Sequence, residues 1–218
     1  MDWPLLASLD EDARQTVLGT TRLRRFASGE VVVHEGDPAD SLHLVQAGRL
    51  AVRVTTPAGE RATLNVLGPG DYFGELSLLD GRTPVRTASI VALERSETRS
   101  LAATAFRDLR QRHRAAEQFL LALLARRVEE LSGLVVEAMY DGLDRRVHRR
   151  LLDLAELYAE RSPRVVITLT QELLAELVGG TRPSVNQVLQ RLADQGIVEL
   201  GRGKITVLDR AALERKLR

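Results

Sequence analysis

Thr170-Gln171-Glu172-Leu173-Leu174-Ala175-Glu176-Leu177 reads as the start of an amphipathic helix, Gly179-Gly180-Thr181 interrupts it, and Arg182-Pro183-Ser184-Val185-Asn186-Gln187-Val188-Leu189 begins another. Thr170 stands where a hydroxyl can accept from the unpaired N–H groups of a first turn, so it is the expected cap. The second helix is expected to run to about Gln195, with Pro183 in its first turn, where a missing N–H costs little. Two helices joined by a short glycine-containing turn make a helix-turn-helix. Downstream, Ile197-Val198-Glu199-Leu200 and Ile205-Thr206-Val207-Leu208 flank Gly201-Arg202-Gly203-Lys204, a hairpin pattern that supplies a wing. Upstream, Val165-Val166-Ile167-Thr168 reads as a strand, and Arg146 to Glu160 carries Val147, Leu151, Leu154, Ala155 and Tyr158 at helical spacing.

Further back, one long helix is expected from about Arg112 to Tyr140. Leu121, Leu124, Val128, Leu131, Val135 and Ala138 alternate steps of 3 and 4, the a/d seam of a left-handed coiled coil. The same stripe would also serve to pack the helix on its own domain, but a helix this long would project beyond it, which favours the seam. Asp141-Gly142 reads as a stop, with Gly142 near the C′ position and a hinge to Asp144.

From Arg22 to about Ala103 the chain is β-rich, with runs such as Glu30-Val31-Val32-Val33-His34, Leu42-His43-Leu44-Val45 and Leu50-Ala51-Val52-Arg53-Val54. Gly29, Gly36, Gly48, Gly59 and Gly70 fall 7, 12, 11 and 11 residues apart, the strand-plus-turn spacing of a barrel or roll; an unspecialised β-sandwich shares it. Gly36-Asp37-Pro38 and Gly68-Pro69-Gly70-Asp71 are turn chemistry. The expected fold class is α+β: a β-roll over residues 1–111, a helix over 112–141 and a winged helix-turn-helix over 142–218.

Composition narrows the function classes. With 218 residues the chain is long enough for two modest domains, and no apolar run approaches the roughly 18 residues that span a bilayer. The start, Met1-Asp2-Trp3-Pro4, lacks the basic patch and apolar core of a signal peptide, which points to the cytoplasm. With Cys 0, disulfides, iron–sulfur clusters and thiolate zinc sites are excluded. His34, His43, His113 and His148 are scattered singly, without the spacing of a metal or haem site, and read as surface or satisfied-core residues. Residues before Gly142 carry 17 basic and 20 acidic side chains, and those from Gly142 onward 14 and 10, so the halves are −3 and +4. A basic C-terminal module suits phosphate contact.

Asp71-Tyr72-Phe73-Gly74-Glu75-Leu76-Ser77-Leu78-Leu79 and Pro84-Val85-Arg86-Thr87-Ala88, with Gly29-Glu30, Gly36-Asp37 and Gly48 before them, resemble the cyclic-nucleotide-binding roll of the cyclic AMP receptor protein (CRP/FNR) family. The resemblance covers nearly the whole chain, since the long helix and winged helix follow in the family's order. A phosphate buried in a roll needs a bidentate cation, and a ribose hydroxyl needs a carboxylate acceptor. The resemblance implies that Glu75 accepts from the ribose 2′-OH, that Gly74, Leu76 and Ser77 line the cassette, that Arg86 pairs the cyclic phosphate and that Thr87 hydrogen-bonds it. Arg86 stands eleven residues after Glu75, longer than the family's usual nine or ten, so Asp80-Gly81-Arg82-Thr83 must absorb the difference. The alternative for Glu75 and Arg86 is a structural ion pair in a roll that has lost its ligand. On the long helix, Leu131 and Ser132 fall at the family's base-reading positions, and only Ser132 can hydrogen-bond. Cyclic AMP is the implied effector, with cyclic GMP or no nucleotide as alternatives.

In the C-terminal module, residues 181–189 resemble the family's recognition helix, whose first residues reach base edges in the major groove. Arg182 is the expected bidentate partner of a guanine, with Thr181, Ser184, Asn186 and Gln187 as further base or phosphate contacts. Thr170 and Gln171, and Arg202 with Lys204 in the wing, read as phosphate contacts that position without specifying. Pro183 and Gln187 depart from the family's usual Glu and basic residue, so its consensus operator does not transfer. The implied partners are double-stranded DNA, a second copy joined through the 112–141 helix, and RNA polymerase; no membrane is implied. An enzyme is disfavoured, because no P-loop, nucleophile elbow or paired catalytic histidine is present in the sequence. The helix-turn-helix argues against a kinase regulatory subunit. The second reading keeps the DNA-binding regulator and makes it nucleotide-independent or responsive to another effector.

Overall fold

The computed structural model describes residues 3–7, 9–79, 85–159 and 164–217; the Asp80–Thr83 loop and the Glu160 end of the helix expected before the first C-terminal strand lie outside them. The chain forms two compact units, Met1–Val54 with Asn65–Leu131, and Thr55–Leu64 with Ser132–Arg218.

The first run of elements is α1 (Pro4–Ala7), α2 (Glu11–Thr20), β1 (Arg22–Phe26), β2 (Val31–Val33), β3 (Ser41–Ala47), β4 (Leu50–Thr55), β5 (Arg61–Leu67), β6 (Tyr72–Phe73), α3 (Glu75–Leu79), β7 (Ser89–Ala92), β8 (Ser96–Ala102), α4 (Ala103–Arg112) and α5 (Arg114–Tyr140). The strands make two sheets, in the orders β1-β8-β3-β6 and β2-β7-β4-β5. β3 is central to the first, with Leu42 opposite Leu101 on β8 and His43 opposite Phe73 on β6. Its two faces enter different cores. Leu42 and Leu44 pack with Trp3, Leu5, Leu6, Leu101 and Phe106, whereas Val45 packs with Phe26, Leu50, Phe73 and Ile90. A strand buried on both faces reads as a continuous apolar run, because neither face meets water. Each fully buried Leu contributes about 1.5–3 kcal/mol.

The β3–β4 turn depends on Gly48. At φ +79 it occupies a region that side chains rarely adopt, and a Cβ there would lie 2.5 Å from the Arg95 carbonyl oxygen and 2.7 Å from the Ser96 Cα.

The long helix expected from about Arg112 to Tyr140 is α5, and a separate helix, α4, precedes it. His113 adopts extended angles (φ −122, ψ 94) and caps α4, and α5 starts at Arg114. The seam stays on the surface: Leu121, Val128, Leu131 and Val135 are 63, 64, 47 and 58% exposed. The stripe therefore does not pack on its own domain.

The second run is α6 (Leu143–Leu157), β9 (Val165–Ile167), α7 (Gln171–Val178), α8 (Arg182–Asp194), β10 (Val198–Gly201), β11 (Lys204–Val207) and α9 (Arg210–Arg215). The strands form one sheet in the order β10-β11-β9, which completes a winged helix. α6 begins earlier than the expected Arg146, so the hinge shrinks to Asp141-Gly142. Gly142 is not a left-handed C′ residue: at φ −64, ψ 160 it is the N-cap of α6, its carbonyl accepting from Arg146 N at 3.2 Å. α1, α2, α3 and α9 carry no expectation from the sequence. No helix among the described residues is long and apolar enough to cross a membrane.

Gly48→Ala is expected to lower the thermal midpoint by several degrees. A side chain at positive φ costs roughly 1–2 kcal/mol, the clash adds to it, and about 1 kcal/mol moves a chain of this size by ~2–4 °C. Calorimetry returning the original midpoint would show that the turn relaxes freely.

Candidate functional site

Of the residues expected to form a ligand cradle, Gly74 packs against Arg86. The arginine side chain is buried, 4% exposed, and Nη1 donates to the Ser41 carbonyl oxygen at 2.7 Å while Nη2 donates to Ser41 Oγ at 3.1 Å. Nη2 also reaches Asp40 Oδ1 at 3.4 Å. Arg86 Nε is buried and has no hydrogen-bond partner among the described residues. Burial lowers the pKa of the guanidinium, opposed by Asp40 and Asp37.

Gly74 makes the approach possible. It sits at φ +94 at the end of β6, and a Cβ there would collide with Arg86 Nη1 and lie 2.8 Å from the Ser41 carbonyl oxygen. The next residue, Glu75, opens α3, and its Oε2 is buried without a partner among the described residues. Burial raises the Glu75 pKa above its usual 4.5, while its backbone hydrogen bond and the charge of Arg127 on α5 act the other way. The Tyr72 hydroxyl is likewise buried without a partner there, and burial, with the charges of Glu75 and Asp71, raises its pKa. Glu75 and Arg86 are thus not each other's ion pair: the carboxylate beside Arg86 is Asp40, and the cation acting on Glu75 is Arg127.

Of the other expected cradle residues, Ser77 is buried, while Leu76 and Thr87 are exposed. Ser132 belongs to the second unit and stands exposed beside Gly133, Val136 and Tyr140 at a cavity of about 450 Å³. At that cavity Arg149 Nη1 bridges Glu137 at 3.0 Å and Asp141 at 3.1 Å.

Sequence reading missed Asp40, Ser41, His43 and Thr98. Ser41, His43 and Val45 alternate with Leu42 and Leu44, and this period of two was the available signal that the polar pair faces inward. What the cradle can do follows from its donors and acceptors. A guanidinium with a free N–H suits an anion such as a phosphate, and a carboxylate oxygen without a partner suits a hydroxyl.

The second constellation lies on α7, α8 and the wing. Thr170 Oγ1 accepts from Leu173 N at 3.1 Å and caps α7. Gly179 ends that helix at φ 60. Thr181 Oγ1 caps α8, accepting from Ser184 N at 3.3 Å and sharing a 2.9 Å hydrogen bond with Ser184 Oγ. α8 buries Val185, Val188, Leu189 and Leu192. Arg182, Gln187, Arg202 and Lys204 are exposed, and Gln171 and Asn186 are half-buried. Several other cations of this unit are paired: Arg191 with Asp144 at 2.6 Å, Arg210 with Glu156 at 2.5 Å and Arg149 as above. Among the described residues no ion pair holds Arg182, Arg202 or Lys204.

Comparison with known proteins matches residues 23–113 to the cyclic nucleotide-binding domain and residues 145–216 to the Crp-like helix-turn-helix domain. The chain is 34% identical over 211 residues to the cyclic AMP receptor protein of Thermus thermophilus, covering 97% of this chain and 95% of that one. It is 32% identical over 197 residues to the CRP-like cAMP-activated global transcriptional regulator of Mycobacterium tuberculosis, covering 88% and 87%. Among solved structures, the Thermus thermophilus catabolite activator protein is 33% identical over 98% of both chains with a TM-score of 0.56. FixK2 of Bradyrhizobium japonicum, 19% identical over 89% of this chain and 96% of that one, shares the fold with a TM-score of 0.78.

The raised pKa of Glu75 sets a pH dependence. The folded chain binds this proton more tightly than the unfolded chain, so the carboxyl subtracts stability as pH rises from 4.5 through its raised value. Glu75→Gln is expected to raise the thermal midpoint at about pH 7 and change it little near pH 4, where both states hold the proton. Equal shifts at both pH values, read by calorimetry, would contradict a buried, uncompensated carboxylate.

Proposed function

Because the chain belongs to the CRP/FNR family of transcription regulators, we propose that it is a homodimeric DNA-binding regulator gated by a cyclic nucleotide, cyclic AMP in first place, held in the β-roll. The observation that carries this reading is the pair of unsatisfied groups beside Gly74, Arg86 Nε and Glu75 Oε2. In the proposed complex Arg86 pairs the cyclic phosphate, Glu75 accepts from the ribose 2′-OH, Gly74, Leu76 and Ser77 line the cassette and Thr87 adds a hydrogen bond. Ser132 reads the base edge; Leu131 adds no hydrogen bond, and a base amine left unpaired weakens binding by about tenfold to a hundredfold. The cAMP-activated relatives support cyclic AMP over cyclic GMP.

We assign residues 1–111 to effector binding, 112–141 to dimerisation and 142–218 to DNA, in the cytoplasm, with RNA polymerase as a further partner. The exposed apolar stripe on α5 supports the dimer. Paired recognition helices would take an inverted repeat with half-sites about 34 Å apart, one helical turn. Arg182 is the expected guanine contact, aided by Thr181, Ser184, Asn186 and Gln187, while Thr170, Gln171, Arg202 and Lys204 hold phosphates. The Thr170 and Thr181 hydroxyls are already helix caps, so their phosphate contacts compete with capping. Gating requires that the nucleotide prefer one of two arrangements of the dimer. The apolar Leu131 favours the second reading, a regulator that answers to another effector or to none.

Isothermal titration with cyclic AMP and cyclic GMP separates the readings. Saturable binding that is lost in Arg86→Ala is the expected result; no heat from folded, dimeric protein with either nucleotide would overturn nucleotide gating and leave the second reading. For the DNA module, Arg182→Ala is expected to abolish specific protection in footprinting while nucleotide binding stays intact. Protection of the same palindrome by that variant would refute the recognition-helix assignment.

A further inference from the structure

Behind Arg86 lies a layer of buried polar groups that the ligand contacts do not use. His43, on the inward face of β3, is 6% exposed and stacks on Phe73 with ring centroids 4.8 Å apart and planes 9° off parallel. Its Nδ1 lies 3.0 Å from Thr98 Oγ1 on β8, and its Nε2 lies 3.2 Å from Ser41 Oγ. Ser41 Oγ in turn donates to Asp40 Oδ1 at 2.8 Å and accepts from Arg86 Nη2 at 3.1 Å.

Proton counting fixes the direction of this chain. The Ser41 hydroxyl has one proton, and Asp40 takes it, so the hydrogen bond between Ser41 and His43 needs its proton from Nε2. The imidazole is neutral: burial first, then the charges of Arg86 and Arg24, lower its pKa to about 4 against the opposing pull of Asp40. Nδ1 is then an acceptor, and the Thr98 hydroxyl donates to it. Thr98 thereby selects the tautomer that turns an N–H toward Ser41.

A guanidinium offers two usable edges. In Arg86 the end edge, Nη1 with Nη2, grips Ser41 by its carbonyl oxygen and its hydroxyl. On the side edge, Nε has no partner among the described residues, and Nη2 reaches Asp40, whose side chain is 85% exposed. We propose that His43 is a positioning residue of the ligand cradle: it keeps the Ser41 hydroxyl turned as an acceptor, which locks the end edge of Arg86 and presents the side edge to an anionic phosphate. The proposal rests on the reading of Arg86 as the phosphate cation. Without the His43 donor, Asp40, whose side chain is 85% exposed, alone orients the Ser41 hydroxyl, and the end edge of the guanidinium is held less firmly.

Three variants test this, with cyclic AMP as the probe. His43→Phe keeps a ring against Phe73 and removes both hydrogen bonds. His43→Gln keeps an N–H within reach of Ser41, and Ser41→Ala cuts the same chain one link later. Titration calorimetry is expected to show affinity falling roughly tenfold in His43→Phe and in Ser41→Ala, about as far again as a lost hydrogen bond to a charged group accounts for, and no further in the double variant. His43→Gln is expected to stay within about twofold of the original chain. Full affinity in His43→Phe, or additive losses in the double variant, would overturn the proposal. A second readout needs no ligand: nitrogen-15 NMR is expected to resolve the two Arg86 Nη signals in the original chain and in His43→Gln, and to average them in His43→Phe. If the original chain binds no cyclic nucleotide, the function proposed above fails, and the NMR comparison still decides the role of His43. Resolved Arg86 signals in His43→Phe would then refute it. Should His43→Phe not fold, Ser41→Ala and His43→Gln carry the same comparison.

Discussion

The cradle depends on keeping one cation out of water. A buried guanidinium is tolerated only where its N–H groups find acceptors, since an isolated charge in a low dielectric costs far more than any single contact returns. Arg86 meets that condition through Ser41, whose carbonyl and hydroxyl both face it, with the Asp40 carboxylate beside them. Ser41 is where it must be because β3 is central in its sheet, paired on one side with β8 and on the other with β6. The end of β6 then has to pass so close to Arg86 that only glycine fits, and the chain turns there at positive φ into α3. Sheet order, turn and buried cation are one constraint seen at three scales.

That constraint was legible in part. Gly74, Glu75 and Arg86 were readable because the stretches that hold them resemble the cyclic-nucleotide-binding roll of the family. Asp40, Ser41, His43 and Thr98 were not, because their role arises from pairing across strands: Ser41 opposes Ala102 and His43 opposes Ser100, some sixty residues away in sequence. The winged helix was legible almost to the residue, since its boundaries are set by local devices, a Thr cap at each helix, glycine between them and a glycine turn in the wing. Gly142 misled for the opposite reason. Glycine before a helix and glycine after one look alike in sequence, and only the backbone angles separate a cap of α6 from a stop of α5.

The two halves of the chain handle their cations differently. In the winged helix most arginines described are paired with carboxylates one turn away or on a neighbouring helix, while Arg182 at the start of α8 and Arg202 and Lys204 in the wing are in no ion pair among the described residues. Surface pairs of this kind add little stability. Their effect is on distribution, since a unit with modest net charge still presents a defined positive stripe to a phosphate backbone.

In the roll some polar groups are buried and left short of partners: Arg86 Nε, Glu75 Oε2 and the Tyr72 hydroxyl have none among the described residues. An unsatisfied buried group of this kind costs about 1–3 kcal/mol. Any molecule that satisfies these groups in the folded state and not in the unfolded one stabilises the roll by mass action. Because Arg127 on α5 is the cation that acts on Glu75, neutralising or satisfying that carboxylate also alters the charge balance of the helix that carries the exposed seam.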